Sequence, residues 1–175
     1  MASLDAESLF TNVPVNETID IICNNVYRNV NLPPLSFPEK TLRELLKSCT
    51  TECPFENFDG KLYAQIDGVS MGSPLGVTFA NYYMTNLENT IFEKQPELKP
   101  EIYCRYVDDC FLIVASEEDI PPLINAFKNN SVLNFTKEVG GSKLNFLDVE
   151  IKNNDSTFET NVFRKPTDPG IYINN

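Results

Sequence analysis

The chain has 175 residues, which suits one domain, and its 42% hydrophobic and 22% charged residues exclude an intrinsically disordered protein. It carries 25 acidic against 14 basic residues and no histidine; the lack of histidine excludes histidine-based catalysis and histidine-ligated zinc, and the net charge of −11 argues against tight unassisted binding of nucleic acid. The longest apolar run, Phe111–Ala115, is far short of the roughly 20 residues of a membrane span, and no basic, apolar leader follows Met1. The expectation is an intracellular protein, in nucleus or cytoplasm, neither secreted nor membrane-bound.

In chain order, Ala2–Ala6 reads as a short strand. Asn16 reads as an N-cap for a helix with Ile19, Ile22, Cys23 and Val26 on one face. Pro38 opens a second helix bearing Leu42, Leu45, Leu46 and Cys49 on one face. Phe55–Phe58 and Lys61–Ile66, joined by Asp59-Gly60, read as a hairpin with a two-residue turn. Ser73-Pro74 starts a long helix with Leu75, Phe79, Tyr83, Leu87 and Ile91. Ile102–Val107 and Cys110–Ala115 form a second hairpin, Glu117–Asn129 is a helix, and Leu133–Glu138, Leu144–Lys152 and Thr157–Phe163 are strands. The fold class expected is α+β, an antiparallel sheet with helices packed on one face. Five cysteines without a secretion signal read as reduced thiols. Cys49 and Cys53 have a spacing zinc accepts, but no second pair exists, so buried or partly exposed thiols are expected.

The second hairpin carries the sharpest chemistry. Its turn, Tyr106-Val107-Asp108-Asp109, sets two adjacent carboxylates between strands apolar enough to be buried. Like charges side by side are unfavourable unless something positive neutralises them. Solvent does so at an ordinary surface turn, where Asp is common. A divalent cation such as Mg²⁺ does so at a metal site. Taken alone, the turn leaves both readings open.

It is not alone. Asp5 ends the first strand and is followed by Ser8–Pro14, "SLFTNVP". Residues 67–76 read "DGVSMGSPLG", residues 105–109 "RYVDD", 145–151 "NFLDVEI" and 163–174 "FRKPTDPGIYIN". In this order the blocks resemble motifs A, B and C and the following segments of the reverse transcriptase palm, and their wording is closest to Penelope-like retroelements. The resemblance runs from Leu4 to Asn174, and its specificity lies in five blocks in order.

That resemblance implies an RNA-directed DNA polymerase palm that transfers dNTPs to a primer 3′-OH on a nucleic-acid template. It implies two Mg²⁺ ions, with Mn²⁺ as a substitute, about 3.5–4 Å apart. Asp5 and Asp108 would bridge them, the Ala6 carbonyl would add a ligand, and Asp109 would be a weaker or outer one. Phe10 would lie under the sugar and exclude a 2′-hydroxyl; its other reading is a core phenylalanine. Gly72, after Met71, would let backbone approach a bound base closely, or would simply belong to a well-made helix start. Gln65 is a further substrate or template contact. Lys137, near Gly140-Gly141 and Lys143, would protonate or neutralise the leaving pyrophosphate, though it reads more readily as a solvated lysine. Arg164 and Lys165 would touch primer phosphates, or form a charged hairpin end. Asp148 reads as structural. Gly170-Ile171-Tyr172 resembles the opening of a GIY-YIG nuclease, but without its second half it is better taken as the tail of the last block.

Compared with that family, the 175 residues start at motif A and stop after the primer-grip block. One palm over residues 1–175 is expected, with fingers and thumb missing and belonging to a longer polyprotein. Asn16 stands where an Asp is common, and Gly76-Val77 is unusual at the helix start. Two function classes follow: the catalytic palm of a reverse transcriptase, or a catalytically silent, domesticated retroelement remnant that serves as a binding scaffold.

Overall fold

The computed structural model describes residues 1–175 except 32, 34, 53, 155, 156, 166 and 168–175. Cys53 and the Gly170-Ile171-Tyr172 tail therefore lie outside the described residues. The chain opens with strand β1 (Ala2–Ala6), a single helical turn α1 (Leu9–Asn12) and helices α2 (Val15–Arg28) and α3 (Glu39–Ser48). A small hairpin, β2 (Pro54–Glu56) and β3 (Leu62–Ala64), precedes the long helix α4 (Pro74–Lys94). Then come β4 (Ile102–Tyr106), β5 (Asp109–Ile113), α5 (Ile120–Asn130), β6 (Phe135–Val139), β7 (Lys143–Phe146), β8 (Val149–Asn153) and β9 (Phe158–Val162).

Four strands form an antiparallel sheet in the order β4-β5-β1-β6. Two-residue alternation makes β1 two-faced. Ala2, Leu4 and Ala6 are buried, while Asp5 on the opposite face is exposed. On the buried face these residues share one core with Cys110 and Leu112 of β5, Phe79, Tyr83, Met84 and Leu87 of α4, and Leu123 and Phe127 of α5. Helices therefore cover one face, as expected for an α+β chain, while the other face is partly covered at Phe111, whose ring packs against Phe146 with centroids 5.6 Å apart. Helix α4 begins as its sequence predicts: Ser73 is the N-cap, its Oγ accepts from the Leu75 N–H at 3.3 Å, and Pro74 takes the first helical position.

The structure corrects several expectations. Among the described residues the antiparallel pairing is divided over three sheets, since β2-β3 and β7-β8-β9 pair separately from the main one. The segment 144–152 is no single strand: β7 and β8 are a hairpin with Phe146 paired to Val149, so Leu147-Asp148 is a two-residue turn. Leu147 has φ 53, which no turn rule assigns to leucine. Asn16 does not cap α2; the cap position falls on Pro14. Cys49 and Leu45 are exposed rather than on a packed face, because α3 buries only Leu46. The first hairpin turns through three residues, Phe58-Asp59-Gly60, with the Gly60 N–H donating to the Asn57 carbonyl. Glu117–Asp119 is a 3-10 turn with a Ser116 capping box, and α5 starts only at Ile120. Strand β4 is an exposed sheet edge, so only β5 flanks the acidic turn as a buried strand.

Candidate active site

The acidic residues converge through strand register. Strand β1 pairs with β5 so that Asp5 stands opposite Asp109, and the Ala6 N–H donates to the Asp108 carbonyl at 3.1 Å. Tyr106 pairs with Asp109, leaving Val107 and Asp108 as the two central turn residues. Val107 has φ 57, the left-handed region, where a β-branched residue is strained. This pattern, positive φ at the first central residue alone, matches type II′ hairpin turns.

The electrostatics follow from the geometry. Burial, then Asp108, Asp109 and Glu7, raise the Asp5 pKa above the ordinary carboxylate range. Burial and Asp108 raise Asp109, while the Lys165 ammonium pulls it back down. Behind Asp109, burial pushes the Cys110 thiol up to about 12, so this neighbour stays neutral at physiological pH.

Asp5 and Asp109 line an open cleft of about 480 Å³, together with Lys137, Asn145, Asp148 and Lys165. Lys137 borders it from β6, but it pairs with Leu4 of β1, so its side chain leaves the sheet on the Leu4 face, opposite that of Asp5. Its neighbour in sequence, Lys143, is instead engaged by Glu150, which Lys152 also pairs. The structure thus brings together Asp5, Asp108, Asp109 and Lys165, and sets Lys137 on the other face of the sheet edge. Arg164 lies exposed beside Lys165. Among the described residues, however, no three acidic or cysteine side chains converge as a ready metal cage.

Phe10, Gln65, Met71 and Gly72 lie elsewhere. Phe10 is half-buried, with its ring packed towards Gly76 at the start of α4, and its carbonyl accepts from the Val69 N–H at 2.7 Å. Gln65 donates to the Asp67 carbonyl at 2.9 Å and lines a separate, smaller recess with Ser70 and Ser73. Met71 is exposed. Gly72 has φ +86 with open space around it, so its backbone angle demands glycine, not a close neighbour. The close approach is made by Gly68: a Cβ there would lie 2.5 Å from the Thr11 carbonyl oxygen.

Sequence reasoning missed three features of this cleft. The Leu147-Asp148 turn lines it, where Asp148 reads from sequence as merely structural. The Asp148 carbonyl accepts from the Phe163 N–H at 2.8 Å, which ties the segment bearing Lys165 to that turn. Asn145 Oδ1 is buried with no hydrogen-bond partner among the described residues. Only the turn had a signal in the sequence, an Asp interrupting an alternating strand pattern.

An antiparallel sheet backed by helices, with carboxylates at one strand end and at a neighbouring hairpin turn, defines the fold of a reverse-transcriptase-like polymerase. The family model for reverse transcriptase (RNA-dependent DNA polymerase) matches residues 1–146, and the chain belongs to that family. Among solved structures it is similar to apo telomerase from Candida tropicalis, truncated from its C-terminal domain (TM-score 0.64, 17% identity, 91% of this chain and 35% of that one). It is also similar to telomerase from Candida albicans in complex with a fragment of telomeric RNA (TM-score 0.68, 12% identity, 91% and 31%). At such identities the likeness is one of fold, and the chain spans about a third of the length of these telomerases. Comparison with the curated proteins found no match. No helix among the described residues is long and apolar enough to cross a membrane.

Proposed function

We propose that residues 1–175 act as the catalytic palm of an RNA-directed DNA polymerase of the Penelope-like retroelement type, joining dNTPs to a primer 3′-OH. The observation that carries this reading is the β1–β5 register, which stands Asp5 opposite Asp109 and bonds Ala6 to the Asp108 carbonyl. The fingers and thumb that clamp template and primer would come from polypeptide outside these residues.

The donor set fits a divalent cation. It is all oxygen, its carboxylates repel one another, and it opens onto water. Mg²⁺ is commonly held by one or two carboxylates, several waters and substrate phosphates, so a three-acid protein cage is not required. Asp5 and Asp108 would hold the metal, with the Ala6 carbonyl and Asp109 beside them. Two Mg²⁺ or Mn²⁺ ions, when bound, supply activation of the attacking 3′-oxygen and neutralisation of charge on the phosphates. Lys137 would neutralise or protonate pyrophosphate only by curling its long side chain round the β6 edge, because it pairs with Leu4 rather than with Asp5. Lys165, with Arg164, would position primer phosphates without reading sequence. Phe10 would exclude a 2′-hydroxyl from the incoming sugar, and Gln65, Met71 and Gly72 would face substrate or template.

The second reading is a catalytically silent, domesticated retroelement remnant that serves as a binding scaffold. Primer extension separates the two. With an RNA template, dNTPs and Mg²⁺, the chain in its complete polypeptide is expected to extend a primer, and Asp108→Asn to reduce extension at least about a hundredfold. Equal extension by wild type and variant, or none by either, overturns the polymerase reading.

A further inference from the structure

Arg105 lies on the edge strand β4, two residues before the strained Val107, yet its side chain is only 10% exposed. All five of its N–H groups are used. Nε donates to Glu88 Oε1. Nη2 donates to Glu88 Oε2 at 3.4 Å and to Thr85 Oγ1 at 2.9 Å. Nη1 donates to Asn81 Oδ1 at 2.7 Å and to the Val107 backbone carbonyl at 3.2 Å. Asn81, Thr85 and Glu88 follow the helical spacing, so one face of α4 receives the guanidinium. Tyr103 holds Glu88 from the other side, its hydroxyl donating to Oε1 at 2.9 Å.

The Val107 carbonyl is therefore fixed from α4, and the next carbonyl, of Asp108, is fixed from β1 by the Ala6 N–H. A β-branched residue stays in the left-handed region only where its surroundings hold it there. We propose that the Arg105–Glu88 pair is a brace that holds the Val107-Asp108 turn in its strained form and so sets Asp108 against Asp5. Arg105 is then a positioning residue: it acts through the Val107 carbonyl and touches no substrate. The proposal rests on the polymerase reading and names the part of α4 that makes the acidic turn competent.

A brace and a simple buried ion pair differ in what substitution does. Lysine keeps the charge beside Glu88 but cannot span Glu88, Asn81, Thr85 and the Val107 carbonyl at once. Replacing both partners by methionine leaves no unpaired buried charge, so the fold survives while the turn loses its donor. Glycine at 107 adopts positive φ without help.

The test measures Mn²⁺ binding by electron paramagnetic resonance, dNTP-dependent primer extension in the complete polypeptide, and thermal unfolding. The variants are Arg105→Lys, Arg105→Met/Glu88→Met, and Arg105→Lys/Val107→Gly. Loss of the brace is expected to weaken Mn²⁺ binding about 10–100-fold in folded protein. The extension kcat should fall with the KM for dNTP little changed, and Val107→Gly should recover much of both losses. If Arg105→Lys unfolds, the methionine pair carries the comparison. Folded variants that bind Mn²⁺ and extend as wild type does, or a Val107→Gly that recovers nothing, overturn the brace. Wild type that binds no Mn²⁺ instead overturns the polymerase reading on which the brace rests.

Discussion

Asp5 and Asp109 face one another across paired strands, and burial together with Asp108 holds both above the ordinary carboxylate pKa. A raised carboxyl pKa means that ionisation is less favourable in the folded chain than in the unfolded one, so at neutral pH these charges oppose folding. Removing one should stabilise the metal-free protein while destroying the site. Lys165 already offsets part of the repulsion at Asp109, so Asp5→Asn should give the larger gain. The gain is small, about one or two degrees in melting temperature, because the carboxylates face water and are screened. Thermal unfolding at pH 7 in chelator checks it. Added Mg²⁺ should raise the melting temperature of wild type and leave Asp5→Asn nearly unmoved. A lower melting temperature for Asp5→Asn in chelator would show that the aspartate is structural. At this scale the acids could be read from their motif order. Arg105 could not, since an arginine before a turn looks like any surface charge until its five acceptors are seen.

Among the elements, the segment before α4 shows how glycines differ. Gly68 has φ +69 and no room, with the Phe10 and Thr11 carbonyl oxygens within 2.6 Å of a Cβ. Gly72 has φ +86 and open space. Gly72→Ala should cost only the backbone penalty, roughly 1–2 kcal/mol. Gly68→Ala should cost about 3 kcal/mol or more, since backbone must also shift. Urea unfolding of the two variants compares them, and equal losses would mean that α1 moves freely away from residue 68. The sequence marks both as glycines of one motif and cannot rank them, because the clash lies with α1, more than fifty residues earlier. The backbone angle of Leu147 in the β7–β8 turn was hidden for a related reason. Leucine at φ 53 is tolerated only because the paired strands on either side hold it.

For the whole molecule, the net charge of −11 sits uneasily with a nucleic-acid partner. The 175-residue chain alone should bind an RNA–DNA template-primer weakly, with a Kd above roughly 10⁻⁵ M at physiological salt. Fluorescence anisotropy across salt concentrations checks this. Submicromolar affinity with a steep salt dependence would mean that the described cations already form a phosphate track.

The linear order of residues was enough for the family. A motif keeps its residue types and their spacing wherever the fold puts them, and the apolar periodicity of β1, α4 and β5 follows from strand and helix geometry. Convergence was out of its reach. Whether Asp5 meets Asp109 depends on which strands pair and in what register, and a slip of one residue would turn Asp5 into the core. The strain at Val107, the brace from α4 and the opening of the Leu147-Asp148 turn onto the cleft arise from contacts between segments far apart along the chain. Local propensity carries no record of such contacts.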